Sequence, residues 1–426
     1  MEQGRINITE YEKDGMRFFA SRTGAKDVVT IRGSVLGGSA MLTHELLVVP
    51  GIGSGILDAG TKKRSKQTIH EALSKRGASI NFFTGDDRTN FSATCLPDDI
   101  EFVLSLIAEC LAEATFPAHE FTMEKKRALA HVKEVKTNTR ALASQELSRL
   151  LYDKKHINYA ETLPTIEKLL EKANRKDLLQ YQKLLGAGGL VLAIAGDIKA
   201  DELISKAARI FSKLPIGTPS MPAKKANGKA AAKGESRILV KDKANIDVFM
   251  GAHVPITYDN PQFIPFSMLI SMLGGRGLSG GHLMRTIRER DGLTYGIYGT
   301  PSGFGGLTDG YFEIWATFSP ENYERAIKAT LKEIDVFLSK GITEEALLAK
   351  KGEMGGKYAI GLANTSGLAN TLHAIGIEGK PLAYIDEYPS ILNAITLADI
   401  QNAAKLVPWN KLSIAAAGTF ISPLKK

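Results

Sequence analysis

The feature that most constrains the fold is an internal repeat of about 200 residues. A strand, a turn and an amphipathic helix follow one another in FSATCLPDDIEFVLSLIAECL, and the same order recurs in IWATFSPENYERAIKATLKEI. A short apolar strand lies near the end of each half, in GLVLAIAGDI and in KLSIAAAGTF. Thr94 and Thr317 are 223 residues apart, and Gly196 and Gly418 are 222 residues apart. Two landmarks with almost the same offset indicate a duplicated domain.

The order of the predicted elements indicates the fold class. In each half, segments with strand-like alternation follow one another and lie beside long amphipathic helices. Neighbouring strands mixed with helices are typical of an α+β layer rather than of a strict βαβ alternation. We therefore predict two homologous α+β domains, each with an antiparallel-rich sheet packed against helices. The polar residues DDRT between NFFTG and NFSATCL predict a hairpin turn. Helices are predicted at residues 100–114, 118–136, 145–152, 321–338 and 343–360.

A linker is predicted between the two halves. Residues 214–236, LPIGTPSMPAKKANGKAAAKGES, are rich in Pro, Gly, Ala and Lys and have no apolar period. They separate a first domain, residues 1–213, from a second domain, residues 237–426. Residues 213–243 contain eight Lys or Arg and two acids, and so carry +6 of the net charge of +8. Because the rest of the chain is nearly neutral, the basic charge indicates a Lys-rich linker, or else a docking site for acidic partners, and not a nucleic-acid interface.

Composition excludes some other classes of protein. The longest apolar runs, residues 184–196 and 261–275, are shorter than the ~18 residues that a membrane span needs. Residues 1–20 carry charges throughout, which predicts no signal peptide and the cytoplasm as written, with the periplasm and organelles left open. Two cysteines, Cys95 and Cys110, define neither a disulfide framework nor a zinc site, so buried free thiols are expected.

A glycine-rich stretch, LGGRGLSGGHLMRTIRERDGLTYGIYG, is the most informative part of the second half. Gly275, Gly277 and Gly280 have the G-x-G-x-x-G spacing of a dinucleotide site. Such a site needs a preceding strand and an acid about 20 residues later. Here PQFIPFSMLISML has a helical pattern, and no acid follows at the required distance. The stretch therefore predicts a tight connection that opens a helix at residues 282–290.

The same stretch resembles the second-half signature of the insulinase and mitochondrial-processing-peptidase family, in which a glycine loop precedes a helix bearing Arg and a G-L-x-Y strand. The resemblance covers nearly the whole chain, including the duplicated halves, the linker, the G-T-x-x-R-S segment at residues 60–65 and the helix at residues 124–136. Active members of this family carry an inverted zincin motif, H-x-x-E-H, on a first-half helix. Its histidines bind Zn²⁺, its glutamate is the base, and a glutamate on a later helix is the third ligand.

The zinc motif is missing from this sequence. Alignment on the G-T-x-x-R-S segment places the two motif histidines at Gly51 and Gly55, the base at Ser54 and the third ligand at His131. One imidazole cannot hold catalytic zinc, which normally has three protein ligands. The resemblance therefore implies a chain that binds no cofactor itself and is inactive as a peptidase alone, with zinc expected in a partner subunit. His119, His156, His253, His282 and His373 lack partners at ligand spacing and are predicted to be structural.

The resemblance assigns catalytic roles to two side chains that remain. Arg288 and Tyr295 match the family's Arg/Tyr pair, which approaches the carbonyl of the bond to be cleaved. A guanidinium and a phenol directed at that point would stabilise the developing oxyanion. The alternative is a surface arginine and a half-buried strand tyrosine, and Tyr298 is a second candidate for the tyrosine role.

Substrate contacts are expected beside that pair. Gly274, Gly275 and Gly277 would let a peptide backbone approach closely, because glycine has no side chain. Tyr298 is predicted to contact the same peptide.

Together these residues predict a non-catalytic subunit of a heteromeric zinc metallopeptidase. The partner would be a homologous subunit bearing H-x-x-E-H, and the ligand a peptide. Two alternatives stay open: a degenerate scaffold subunit, like the family's relatives in respiratory complexes, and a homodimeric peptide-binding protein without proteolysis.

Overall fold

The computed structural model describes residues 7–218, 233–276, 280–305 and 308–421. The strands are β1 (Ile8–Lys13), β2 (Met16–Arg22), β3 (Val29–Leu36), β4 (Ser79–Thr84), β5 (Arg88–Cys95), β6 (Val191–Gly196), β7 (Glu235–Leu239), β8 (Ile246–Val254), β9 (Thr294–Ser302), β10 (Gly310–Phe318) and β11 (Ser413–Gly418). The α-helices are α1 (Val49–Ser54), α2 (Lys66–Ser74), α3 (Ile100–Glu113), α4 (Ala118–Val135), α5 (Thr139–Leu151), α6 (Leu163–Lys172), α7 (Asp177–Leu184), α8 (Ala200–Phe211), α9 (Phe263–Gly274), α10 (Tyr323–Val336), α11 (Glu344–Leu362), α12 (Thr365–Ile377), α13 (Tyr384–Ala394) and α14 (Leu397–Ala404). The predicted α+β fold class is confirmed.

The two sheets have the same topology, apart from one extra strand. The first has the order β1-β2-β6-β3-β5-β4, and the second has the order β7-β11-β8-β10-β9. β2 pairs with β6 in parallel, as β7 pairs with β11, and the other corresponding pairs are antiparallel in both sheets. Among the residues that the structure describes, β1 has no counterpart in the second sheet. The duplication predicted from the sequence is therefore visible strand by strand.

One close backbone contact is also repeated. A Cβ atom on Gly196, at the end of β6, would lie 2.8 Å from the Cα atom of Val29. A Cβ atom on Gly418, at the end of β11, would lie 2.9 Å from the Cα atom of Ile246. Val29 and Ile246 are the first residues of β3 and β8, so each sheet needs a glycine at the same point of approach.

The compact units of the structure interleave along the chain. The first consists of Met1–Ala130, Pro164–Pro222 and Lys357–Asp386, and the second of His131–Leu163, Ala223–Gly356 and Glu387–Lys426. This division differs from a single boundary at the predicted linker. Residues 131–163, which include α5, belong to the second unit, and residues 357–386, which include α12, belong to the first. Of the linker itself, residues 219–232 lie outside the described residues, and β7 begins at Glu235.

The exchanged helices each cover one face of a sheet. In the first unit, Leu368, Leu372 and Ile375 of α12 are buried with Phe19 and Val191 of the sheet. In the second unit, α5 covers one face of the sheet. The buried residues of this contact are Leu142, Ala143, Leu147 and Leu151 of α5 with Phe249, Ala415 and Ala417 of the sheet. The other face of that sheet belongs to a separate large core that also contains residues of α9, α10 and α14.

The predicted helices correspond to α3, α4, α5, α10 and α11. The largest difference is at α5, which begins at Thr139 rather than at residue 145, because the Asn138 side chain accepts a hydrogen bond from the Ala141 backbone N–H and caps the helix there. Cys95 and Cys110 are buried and free, as predicted. Among the described residues, no helix has the length and apolarity that a bilayer crossing requires.

Candidate functional site

The glycine-rich stretch connects α9 to a π-helical turn, Met284–Arg290. A Cβ atom on Gly274 would lie 2.4 Å from the Gly299 backbone nitrogen, and one on Gly275 would lie 2.4 Å from the Ser271 carbonyl oxygen. Packing of α9 against β9 and against its own last turn therefore requires both glycines. Gly277, the third glycine predicted to contact substrate, lies outside the described residues.

Arg288 lies on the π-helical turn, where it is exposed. The turn is held by Arg290, which donates to Glu333, and Glu333 also bonds His282. The Nη1 atom of Arg288 lies 3.8 Å from the Met284 sulfur, and the guanidinium has no ion pair with any described residue. Segments of π-helix often occur at functional sites. Glu333 thus holds the turn through Arg290 and His282, whereas the Arg288 guanidinium is exposed to solvent.

Tyr295 lies at a β-bulge in β9. Thr294 pairs with Phe318 and Ile297 pairs with Ala316, so two residues of β9 oppose one residue of β10. The Thr294 hydroxyl donates to the Thr317 carbonyl oxygen and accepts from the Gly296 N–H, which fixes the bulge. The Tyr295 side chain is 86% exposed. Bulges redirect side chains and are common beside active sites, and this one directs a phenol into solvent.

Tyr298 has a different environment from Tyr295. Its ring stacks on Trp315 with the centroids 5.5 Å apart, and the Arg276 guanidinium lies 4.6 Å from the Tyr298 ring centroid. Tyr298 and Gly275 line a cavity of about 740 Å³ in the second unit, on the sheet face that also carries α5. Tyr298 is therefore a wall of a cavity, whereas Tyr295 is the exposed tyrosine of this strand.

Sequence reasoning did not identify Arg140, Glu313 and Trp315, which line the same cavity. The signal for two of them is the alternation in β10, where Phe312, Ile314 and Ala316 are buried in the core and the alternate residues, Glu313 and Trp315, are on the other face. No local signal identifies Arg140, because it reaches this sheet on α5, a helix from the first half of the sequence.

The helix that would carry the zinc motif is α1. The Ser54 hydroxyl, at the position of the base, donates to the Gly51 carbonyl oxygen of its own helix at 3.2 Å. A Cβ atom on Gly53 would lie 2.5 Å from the Tyr181 ring, so α1 is packed closely against α7. Space is open at Gly51, where a Cβ atom would meet nothing within 4 Å.

The remaining positions of the motif also lack a ligand set. A Cβ atom on Gly55 would lie 3.1 Å from Oε1 of Glu124, whose other oxygen pairs with Arg127. His131 is exposed, and its Nδ1 atom lies 3.5 Å from Oε2 of Glu134. Across the described part of the chain, no three His, Cys, Asp or Glu side chains form a group that could hold a metal ion. Two glycines and a serine that bonds its own helix provide no donors for Zn²⁺, so these positions do not fit the metal.

Two of the histidines predicted to be structural, His156 and His253, bond the same carboxylate. The Nε2 atoms of His156 and His253 lie 3.1 and 2.8 Å from the two carboxylate oxygens of Asp309. Burial opposes the charge of Asp309, but the hydrogen bonds from both imidazoles outweigh it and hold the pKa of this carboxyl below its ordinary value. The Nδ1 atom of His156 accepts from the Asn158 N–H, so its Nε2 carries the proton, and a metal cannot bind there.

Family models match both halves of the chain. The model described as Insulinase (Peptidase family M16) matches residues 56–164, and the model described as Peptidase M16 inactive domain matches residues 172–354. Together they cover more than half of the 426 residues. The insulinase match begins directly after Gly55, the last position of the missing motif.

Curated relatives span most of the chain. An uncharacterized zinc protease of Rickettsia felis is 25% identical over 294 residues, which are 68% of this chain and 68% of the relative. A protein of Helicobacter pylori named Non-peptidase homolog YmxG is 22% identical over 372 residues, which are 87% of this chain and 84% of the relative.

Solved structures share the fold. The crystal structure of a peptidase M16 inactive domain from Pseudomonas fluorescens has a TM-score of 0.87 and 24% identity, covering 99% of this chain and 100% of that one. A protease from Helicobacter pylori has a TM-score of 0.83 and 14% identity, covering 97% and 100%. The shared fold agrees with the duplicated topology described above. The chain belongs to the M16, or insulinase, peptidase family, as a degenerate member.

Proposed function

We propose that this chain is the non-catalytic subunit of a heteromeric zinc peptidase, in which it binds the peptide and supplies Arg288 and Tyr295 to the bond being cleaved. The partner would be a homologous subunit that carries H-x-x-E-H and the metal. The observation that carries this proposal is a contrast within one chain. The ligand positions Gly51 and Gly55 have no side chains, whereas a bulge in β9 presents the Tyr295 phenol to solvent.

The chemistry of the two side chains supports this role. Hydrolysis of an amide places negative charge on the carbonyl oxygen, and preorganised donors aimed at that oxygen stabilise the transition state. Arg288 offers a guanidinium that no carboxylate of the described residues neutralises. Tyr295 offers a hydroxyl on a bulge that Thr294 fixes. Neither side chain is used by the fold for packing, which favours a role toward a ligand.

Edge strands support the binding of an extended peptide. β9 is the last strand of the second sheet, and β4 is the last strand of the first. Such edges present backbone N–H and C=O groups that an added strand can pair with. Phe83 on β4 is 55% exposed and Tyr295 lies on β9. A peptide added to either strand would contact an exposed aromatic ring.

The test is to mix this chain with its H-x-x-E-H partner, identified by co-purification, and to measure kcat/KM on a peptide. We expect activity in the mixture that neither chain has alone. Arg288→Ala and Tyr295→Phe should each lower kcat/KM of the mixture about 10²- to 10³-fold, the usual loss when one oxyanion donor is removed. Both variants should bind the partner normally.

Arg285→Ala is the matched control, because Arg285 is an exposed arginine on the same π-helical turn. It should change kcat/KM little. An unchanged kcat/KM in both Arg288→Ala and Tyr295→Phe would refute the catalytic role. Co-purification with a partner but no peptidase activity would instead favour the scaffold function, which the similarity to a non-peptidase homolog supports.

A further inference from the structure

The cavity lined by Tyr298 has charged and polar side chains in its wall, and the proposed function assigns it no ligand. It lies between the first turns of α5 and the strands β9 and β10, and its lining includes Asn138, Arg140, Ser144, Arg276 and Glu313. All its lining residues belong to the second compact unit. Side-chain donors on several elements line one space, and Glu313 is the acidic residue of the lining.

Two guanidinium groups are held on a stack of aromatic rings. Tyr298 and Trp315 are nearly parallel, at 12°, so only their outer faces are free. Arg276 lies over Tyr298, and Arg140 lies over Trp315 with 4.0 Å between its Cζ atom and the ring centroid. Stacking on a ring leaves the N–H edges of a guanidinium available for hydrogen bonds.

Asp247 holds the Trp315 ring of this stack in place. One oxygen of Asp247 accepts from the Trp315 Nε1–H at 2.8 Å, and the other accepts from the Thr139 hydroxyl at 2.6 Å. Thr139 is the first residue of α5, so the same carboxylate positions the ring and the helix that carries Arg140. Arg140 has no ion pair with the residues that the structure describes. The cavity therefore contains a positioned cation without a fixed counter-ion.

Glu313 lines the same cavity as this cation. Its Oε1 accepts from the Ser302 hydroxyl at 3.1 Å, while its Oε2 is buried and has no hydrogen-bond partner. Burial raises the pKa of Glu313 above its ordinary value, although Arg140 acts in the opposite direction. A buried carboxyl oxygen without a partner costs free energy that a ligand can recover.

We propose that this cavity binds a carboxylate group of a peptide, which accepts hydrogen bonds from the Arg140 guanidinium and shares one proton with the unpartnered Oε2 atom of Glu313. Positively charged ligands are disfavoured, because Arg140 and Arg276 both line the cavity. The inference rests on the proposed function only in taking the ligand to be a peptide. The carboxylate comes either from the peptide's C-terminus or from an Asp or Glu side chain, since both present the same chemistry.

The test is peptide binding to the isolated chain, without partner or metal, by titration calorimetry at pH 6. Three peptides of one sequence are compared: a neutral peptide with a free C-terminus, its C-terminal amide, and the amide with one internal Glu. We expect the first or the third to bind about 10- to 100-fold more tightly than the neutral amide, the range for a charge-assisted hydrogen bond. The tighter of the two identifies the source. Equal binding of all three would overturn the proposal.

Variants of Arg140 and Glu313 test whether the cavity binds a carboxylate rather than a cation. Arg140→Met should remove the preference for the carboxylate, and Arg140→Lys should keep part of it. Glu313→Gln retains a hydrogen-bond donor without a charge and should bind the carboxylate peptide at least as tightly as the wild type. Loss of binding in Glu313→Gln, or tighter binding of a lysine-bearing peptide to the wild type, would contradict the proposal.

Arg285→Met, an exposed arginine in the same unit, is the control and should change nothing. The peptide series and Glu313→Gln decide the matter even if Arg140→Met fails to fold. Because the measurement uses no partner and no hydrolysis, its outcome is independent of the mixing experiment: carboxylate binding can fail while activity with the partner succeeds, and the reverse.

Discussion

A half-buried histidine, His373, is expected to contribute to the protein's response to acid. The Ser34 hydroxyl accepts from Nε of Arg88 at 2.7 Å, and its oxygen lies 2.9 Å from the Nε2 atom of His373. Burial, reinforced by the positive charges of Arg88 and Arg32, lowers the pKa of His373 to about 3. A free histidine titrates near ~6.5.

The sign of the resulting pH dependence follows from proton uptake. Between pH ~6.5 and pH ~3 the unfolded chain binds a proton at residue 373 and the folded chain does not, so acid favours unfolding. The stabilisation is complete above pH ~6.5 and falls by about 1.4 kcal/mol per pH unit below it. His373→Gln should remove this share of the slope, measured by urea unfolding between pH 7.5 and pH 5. Equal slopes for the variant and the wild type would contradict the account.

At the scale of single elements, α11 is built with residues that weaken it. Gly352, Gly355 and Gly356 lie inside this helix, and a Cβ atom at each would meet nothing within 4 Å. Glycine inside a helix costs ~0.5–1 kcal/mol relative to alanine. Gly352→Ala and Gly355→Ala should therefore each raise the free energy of unfolding by about that amount, measured from urea midpoints.

Gly251, in strand β8, is a control for which the opposite change in stability is expected, because a side chain there has no space. A Cβ atom on Gly251 of β8 would lie 2.1 Å from the Phe312 carbonyl oxygen, so Gly251→Ala should lower the free energy of unfolding by about 1–3 kcal/mol. A destabilised Gly355→Ala variant would show that α11 needs its glycines for a reason other than space.

The sequence predicted elements well where a pattern is local. Helical periodicity located α3, α4 and α10, and the DDRT turn located the β4–β5 hairpin, because burial of one face leaves its period in the sequence. The bulge at Tyr295 left no such signal, since it depends on which residue of β10 pairs with Thr294. The cavity was missed for the same reason: Arg140 and Glu313 are 173 residues apart in the chain.

At the scale of the whole molecule, the two halves of the sequence are not independent folding units. The repeat predicted two homologous domains and periodicity predicted a helix at residues 145–152, but neither shows which sheet a helix covers, and α12 was not predicted. Each sheet buries one face under a helix from the opposite half. That pairing is non-local, so local pattern cannot specify it.

This interleaving predicts the behaviour of fragments. Residues 1–230 lack α12 and would expose Phe19 and Val191, and residues 231–426 lack α5 and would expose Phe249. We expect neither fragment alone to unfold cooperatively in calorimetry, because burial of such apolar area supplies most of the stability. Co-expressed fragments should form a folded complex, as should the intact chain when cut within residues 219–232. A cooperative transition in either fragment alone would contradict this.

The central claim is that this M16 chain has the fold of a zinc peptidase without the means to hold the metal. The most direct test is hydrolysis of a peptide mixture by the isolated chain in the presence of Zn²⁺, with and without a chelator. We predict no cleavage that depends on zinc, because Gly51, Ser54 and Gly55 offer no ligand set. Cleavage that a chelator abolishes and added zinc restores would contradict the account.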